Sequence, residues 1–278
     1  MRLYPVFRKK KKGLVNMSGY KEVFKRTEIK YLINAEQYKA LMPYLETIAR
    51  VDEYGLSRIN NIYFDTPDYR LVKTSLEKPL YKEKLRLRTY GVTGDDTDSF
   101  IEIKKKYAGI VYKRRISGRY LDTYRYLTGY KNKRDCFENS QISKEIREFM
   151  RLYANLRPAM CICYDRIAMA GIEDKDFRVT FDSNITWNDR CTDLRYAGEG
   201  RNLLKDGQYL MEIKVSNAMP MGLARKLSEL SIFPVSFSKY GSGYADMMNM
   251  NKDRVPGRNT IVRPERNDRV MKGVAAYV

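Results

Sequence analysis

The chain has 278 residues, 43% of them hydrophobic, and its 53 Lys and Arg outnumber 34 Asp and Glu to give a formal net charge of +19. That length and apolar content support a sizeable core in one large domain or two modest ones and exclude disorder throughout, while the basic excess points to an anionic partner such as nucleic acid, anionic lipid or polyphosphate. There is no histidine, which removes every mechanism that needs an imidazole base, nucleophile or metal ligand.

The first element, residues 1–19, reads as a flexible basic arm: it carries Arg2, Arg8, Lys9, Lys10, Lys11 and Lys12 and no acid before Tyr20. Met17 followed by Ser18 is an alternative start. No apolar core follows as a signal peptide requires, and no apolar run approaches the roughly 20 residues of a membrane span, so a cytoplasmic protein, soluble or peripheral to a membrane, is expected.

"YKEVFKRTEIKYLI" (20–33) predicts a strand and "NAEQYKALMPYLETIAR" (34–50) a helix, with Asn34 as its N-cap and Gln37 three residues on. "SRINNIYFDTPDYRLV" (57–72) predicts a strand ending in a Thr-Pro-Asp turn, then a short extended or helical piece. "LYKEKLRLRTYG" and "DSFIEIKKKYAGIVYKRRIS" supply three strands separated by turns near Gly91, Gly94 and Gly109. Between 119 and 156 apolar residues recur at three and four residue intervals, a helical insert. Strands return in "AMCICYDRIAMAG", "DFRVTFDSNITW" and "QYLMEIKVS"; two helices follow, the first capped by Asn217, and a loose basic tail spans 251–278. The four cysteines (Cys136, Cys161, Cys163, Cys191) lack C-x-x-C spacing and read as free thiols, which fits a reducing cytoplasm.

Side chains of a strand alternate between faces. Opposite the apolar positions stand Arg26, Glu28 and Lys30; Lys84, Arg86 and Arg88; Glu102 and Lys104; Lys113 and Arg115; Arg166; Arg178, Thr180 and Asp182; Glu212 and Lys214. In an open sheet that face is a solvated surface. Closure into a barrel of about eight strands turns it inward, and a lumen lined by Lys and Arg is stable only around a polyanion, for which phosphate is the natural candidate. The carboxylates then become ligands for Mg²⁺ or Mn²⁺, which take oxygen donors and need no histidine. The fold expected is α+β, an eight-stranded antiparallel β tunnel with flanking helices.

The ordered set "KRTEIKYLI", "NIYFDT", "KLRLRTYG", "FIEIKKK", "GIVYKRRI", "CYDRIAMAG", "FRVTFDSNI", "LMEIKVS" and "SFSKYGSGYA" resembles the VTC domain, the catalytic domain of vacuolar transporter chaperone polyphosphate polymerases, over about residues 20–250. The resemblance implies a triphosphate tunnel (CYTH-like) fold and the synthesis of inorganic polyphosphate from ATP with Mn²⁺ or Mg²⁺. It places Arg86, Arg88, Lys104, Lys113, Arg166 and Arg178 as catalytic residues. Lys30, Tyr164, Ser238 and Lys239 become phosphate-binding, and Glu212 the metal carboxylate; the charged face of the strands adds Lys84 and Lys214 as phosphate-binding residues, with Glu28 and Glu102 as further metal candidates.

Two positions depart from the family: Ser236 stands where a lysine often precedes the "FSK" serine, and Arg26 stands where tunnel triphosphatases and cyclases carry the first carboxylate of Glu-x-Glu-x-Lys. The alternatives are a tunnel triphosphatase, with Glu28 or Glu102 as its base, or a non-catalytic polyphosphate or RNA binder. The eukaryotic relatives add an SPX domain and membrane helices, so a stand-alone domain is expected, with no DNA partner, and any coupling to translocation would need a separate membrane partner.

Overall fold

The computed structural model describes residues 27–108, 110–129, 140–197, 200–216 and 218–253. The chain runs β1 (Thr27–Ile33), α1 (Ala35–Ile48), β2 (Ala49–Asp65), α2 (Arg70–Leu76), β3 (Tyr81–Tyr90), β4 (Asp98–Tyr107), β5 (Ile110–Arg119), α3 (Tyr120–Thr128) and α4 (Gln141–Leu152). It continues through β6 (Arg157–Gly171), β7 (Arg178–Asn188), a short β8 (Arg201–Asn202), β9 (Tyr209–Val215), α5 (Met221–Glu229) and α6 (Lys239–Asp253). The expected capping box is present: Gln37 N donates to Asn34 Oδ1 at 2.8 Å and Asn34 N donates back to Gln37 Oε1 at 3.1 Å. Helix α5 begins at Met221 behind Pro220, not behind Asn217, which lies outside the described residues. Proline, with no N–H to satisfy, suits the start of a helix. The arm (1–19), Arg26, Gly109, Cys136 and the tail beyond Asp253 also lie outside the described residues; α6 itself runs three residues into the predicted tail.

All strand pairings are antiparallel, and the sheet has nine strands in the order β1-β9-β7-β6-β2-β3-β4-β5, with β8 attached to β7. The α+β class holds, but the closed barrel does not: the hydrogen-bonded path ends at β1 and β5 without joining them. The reason lies on the outer edge of β1, which is taken by the segment following α5. Tyr31 bridges to Pro234 and Val235 N donates to Lys30 O at 2.7 Å; Pro234 has no N–H with which to extend a ladder. The sheet still curls far enough for side chains to meet across the seam, where Lys104 Nζ of β4 lies 4.0 Å from Glu28 Oε2 of β1. The result is a trough with an unlaced seam.

The convex side is apolar and covered in two patches. Helices α1 and α5 bury Leu41, Leu45, Leu223 and Leu227 against Phe181, Met211 and Ile213; α3 and α4 bury Tyr126, Ile146 and Phe149 against Leu85, Leu87, Ile101 and Ile103. A third cluster lies on the concave side, where Tyr240, Tyr244 and Met247, spaced to share one face of α6, pack with Met160, Ile162, Trp187 and Leu210. Thus α6 fills part of the trough and leaves the remainder to the charged residues.

Candidate functional site

The charged residues converge because strand register is set by the buried apolar face, which fixes the opposite face as well. Across the ladders Glu28 pairs with Lys214 and Lys30 with Glu212, Thr180 faces Glu212, and Arg166 faces Asp182. On the other wall Tyr63 faces Arg86, Asn61 faces Arg88, Arg86 faces Glu102, and Lys104 faces Lys113.

Three carboxylate centres organise the cations. At the first, Glu102 Oε2 accepts from Arg86 Nε at 2.6 Å, with Arg88 Nε at 3.9 Å and Lys113 Nζ at 2.9 Å from Oε1. Burial alone would raise the Glu102 carboxyl, but Arg86, Arg88 and Lys113 overcome it and hold the group at about 2. At the second, fully buried Asp182 accepts a two-pronged contact from Arg166 (Nε 2.5 Å, Nη2 2.7 Å) and an ion pair from Lys239 Nζ at 2.5 Å. At the third, Glu212 meets Lys30 at 3.5 Å, Lys239 at 3.6 Å and Lys214 at 3.9 Å, while Glu28 meets Lys30 at 3.6 Å and Lys214 at 3.8 Å. Burial opposes the Glu212 charge, and Lys239, Lys30, Arg166 and Lys214 hold its carboxyl well below the usual range.

The remaining singled-out residues fill the space between. Arg88 donates to Asn61 Oδ1 at 2.9 Å and to Tyr164 OH at 3.2 Å, and the Tyr164 ring lies under Lys239 Nζ at 4.6 Å and beside the Arg166 guanidinium at 5.2 Å. At the segment leading into α6, Lys84 Nζ donates to Ser238 Oγ at 3.0 Å and Lys30 Nζ to Phe237 O at 3.0 Å. Nine of the ten cations assigned to the site from the sequence thus enter one network. The tenth, Arg178, faces Lys214 across the ladder but is exposed, and it makes no ion pair among the described residues.

Two contributors were not singled out from sequence. Asp182 stood among the alternating positions, but its role as the clamp of Arg166 and Lys239 depends on α6 arriving from far along the chain. Tyr63 is held in the trough by stacking on Tyr240 (4.6 Å between centroids) and accepts from Arg86 Nη1 at 3.3 Å. Burial raises the Tyr63 phenol, yet Arg86 and Lys84 outweigh it and bring it down to about 8. The alternation in "NNIYFD" was the available signal.

The chain's sequence pattern matches the VTC domain over residues 25–248. The chain belongs to the VTC domain family. No curated protein sequence matches the chain. Among solved structures it is similar to a putative adenylate cyclase from Vibrio parahaemolyticus, with a TM-score of 0.42 and 14% identity over 81% of this chain and 97% of that one. A putative adenylyl cyclase from Hippeastrum, described as having a dominant triphosphatase activity, gives 0.44 and 14% over 79% and 95%. The Mimivirus capping-enzyme triphosphatase gives 0.31 and 9% over 74% and 89%.

For a VTC domain the metal question turns on the donor set. Glu28 and Glu212, on neighbouring strands, share Lys30 and Lys214 and so form a two-carboxylate corner. A hard divalent cation that takes one or two carboxylates and completes its shell with water and phosphate oxygens fits such a corner. Glu102 stands apart on the opposite wall with Arg86, Arg88 and Lys113, and among the described residues no cluster of three or more His, Cys, Asp or Glu gathers. No described helix is long and apolar enough to cross a membrane.

Proposed function

We propose that this VTC domain is a metal-dependent polyphosphate polymerase that transfers the γ-phosphate of ATP to the end of a growing inorganic polyphosphate chain. The observation that carries the reading is the concentration of cations from both walls of the trough around three buried or half-buried carboxylates, which suits a ligand with several closely spaced negative charges. Phosphoryl transfer passes through a loose, in-line transition state, so positioning and charge neutralisation carry most of the catalysis.

In this reading Arg86, Arg88 and Arg166 orient the γ-phosphoryl group, with Tyr164 packed among them fixing the planes of the guanidinium groups. Glu102 and Asp182 hold those groups in place, which limits reorganisation as charge moves. Lys104, Lys113, Lys84, Lys214 and Ser238 hold the acceptor chain, while Lys30 and Lys239 balance the Glu28–Glu212 corner. A terminal oxygen of the acceptor forms the new P–O bond, the bond between the β- and γ-phosphates breaks, and ADP leaves with the electron pair. The acceptor oxygen is already anionic near neutral pH, so no histidine is required. Mn²⁺ or Mg²⁺ held by Glu212 and Glu28 would supply positive charge to the phosphate oxygens.

The test is incubation of the pure protein with ATP and Mn²⁺, following ADP, orthophosphate and long-chain polyphosphate together. Polyphosphate formed in step with ADP is expected. Orthophosphate in step with ADP would instead identify a triphosphatase, and binding without turnover a polyphosphate receptor. Glu212→Gln should lower synthesis by about 10²-fold or more while polyphosphate still raises the melting temperature; unchanged synthesis would remove Glu212 from the metal site.

A further inference from the structure

One end of the β3-β4-β5 meander is apolar in a way the trough does not need. Tyr81 faces Tyr107, Tyr107 faces Ile110, and Lys105 faces Tyr112 across the two ladders, with Leu80 O accepting from Ala108 N at 2.9 Å at the very end. Leu80 is 76% exposed and Tyr107 57%, and Tyr81, Ile110, Val111 and Tyr112 are all exposed. Large apolar side chains grouped like this on a protein surface mark a contact site.

Their neighbours define the partner's charge. Lys78, Lys82, Lys105 and Lys106 ring the same end, and none has a carboxylate within ion-pair distance among the described residues. The opposite end of these strands is the control within the molecule. There Val92 is 96% exposed, Tyr54 72% and Leu56 68%, but Asp52 and Glu53 of β2 and Asp95 and Asp96 of the loop before β4 accompany them in the chain. Apolar side chains occur at both ends; lysines without a carboxylate partner accompany only one, and of these Lys82 donates to Ser75 O at 3.2 Å.

We propose that the end formed by residues 80–82, 105–107 and 110–112 docks on an anionic lipid surface. Tyr and aliphatic side chains seat at the boundary between headgroups and acyl chains, and lysine stems lie along apolar surface while their ammonium groups reach anionic headgroups. The edge strand is itself rich in Lys113, Arg114, Arg115 and Arg119, so pairing with the same strand of a second copy would set cation against cation. A lipid surface asks for no complementary pocket, only for exposed apolar side chains flanked by cations, as here.

The test is sedimentation of the full chain with phosphatidylcholine vesicles with and without phosphatidylserine. The triple variant Leu80→Ser, Tyr107→Ser, Ile110→Ser keeps every charge, and it should bind the acidic vesicles about tenfold or more weakly, with its thermal stabilisation by polyphosphate unchanged as proof that the trough has folded. Equal binding by the variant, or no binding by the parent chain, would overturn the proposal; the first would transfer membrane affinity to the basic termini. As a second readout, Leu80→Trp should blue-shift and be quenched by bromine-labelled lipid in acidic vesicles, and an unquenched Trp overturns the proposal even where sedimentation persists. Concentration-dependent self-association that the triple variant abolishes, without vesicle binding, would give the surface to a second copy instead.

Discussion

Asp182 shows how much one carboxylate can carry. Removing one partner of a buried charge cluster leaves the others uncompensated at a cost of about 3–5 kcal/mol, and Asp182 serves both Arg166 and Lys239. Asp182→Asn should therefore lower unfolding stability by about that amount, measured by urea denaturation, and added polyphosphate should restore more stability to the variant than to the parent. A loss under about 1 kcal/mol would mean that water already compensates these cations. Glu102 makes a pH prediction. Its carboxyl sits at about 2 in the folded chain against an ordinary 4.5, so its contribution to stability is complete above about 4.5 and is lost as pH falls toward 2. The urea midpoint should drop through that window, and Glu102→Gln should flatten the drop. The cations themselves were legible in the sequence because period-two alternation assigns parity residue by residue. The roles of Asp182 and Tyr63 were not, since both depend on contacts with α6 that no local pattern encodes.

Among the elements, α6 links core and site. Its Tyr240 donates to buried Asp65 Oδ2 at 2.8 Å, and Asp65 also accepts from the backbone N–H groups of Thr66, Leu71 and Val72. The first turn of α6 is thereby fixed with Lys239 pointing at Asp182 and Glu212. Gly243 permits the close approach: a Cβ there would come within 2.7 Å of Met160 Sδ and 3.3 Å of Trp187. Gly243→Ala should cost about 1–3 kcal/mol through overpacking and reduce polyphosphate affinity along with stability; calorimetry and a binding titration would show whether the two fall together. The sequence marked α6 as a helix, but which side of the sheet it occupies is a tertiary fact. Likewise β2 begins at Ala49, eight residues before the expected start, because its first half pairs with β6 around an irregularity between Val51 and Leu56. Pairing across such an irregularity is supplied by the partner strand, not by local propensity.

At the scale of the whole molecule the sequence predicted an α+β protein with one charged face and one apolar face, and the structure has both. Closure was the part it could not supply: whether the last strand reaches the first depends on accumulated curvature and on what occupies the outer edge of β1, here the bridge at Pro234. In the proposed reading, a trough whose cations outnumber the carboxylates they share makes polyphosphate binding depend steeply on ionic strength. Affinity should fall as salt rises from 50 to 200 mM, on the order of 10³-fold if six or more phosphates are engaged, and a flat salt response would show that the lysines stay paired to their carboxylates.

If the protein handles polyphosphate as proposed, the gap between β1 and β5 sets the route the polymer takes. Spanned among the described residues by the ion pair of Glu28 with Lys104 at 4.0 Å and not by a backbone ladder, it can part sideways without breaking the sheet, so that in the proposed reading a polyphosphate chain is laid in and lifted out along its flank. Polyphosphate capped with a bulky group at each end should then compete for the site as well as uncapped chains of equal length, whereas a sealed pipe would admit only a free terminus.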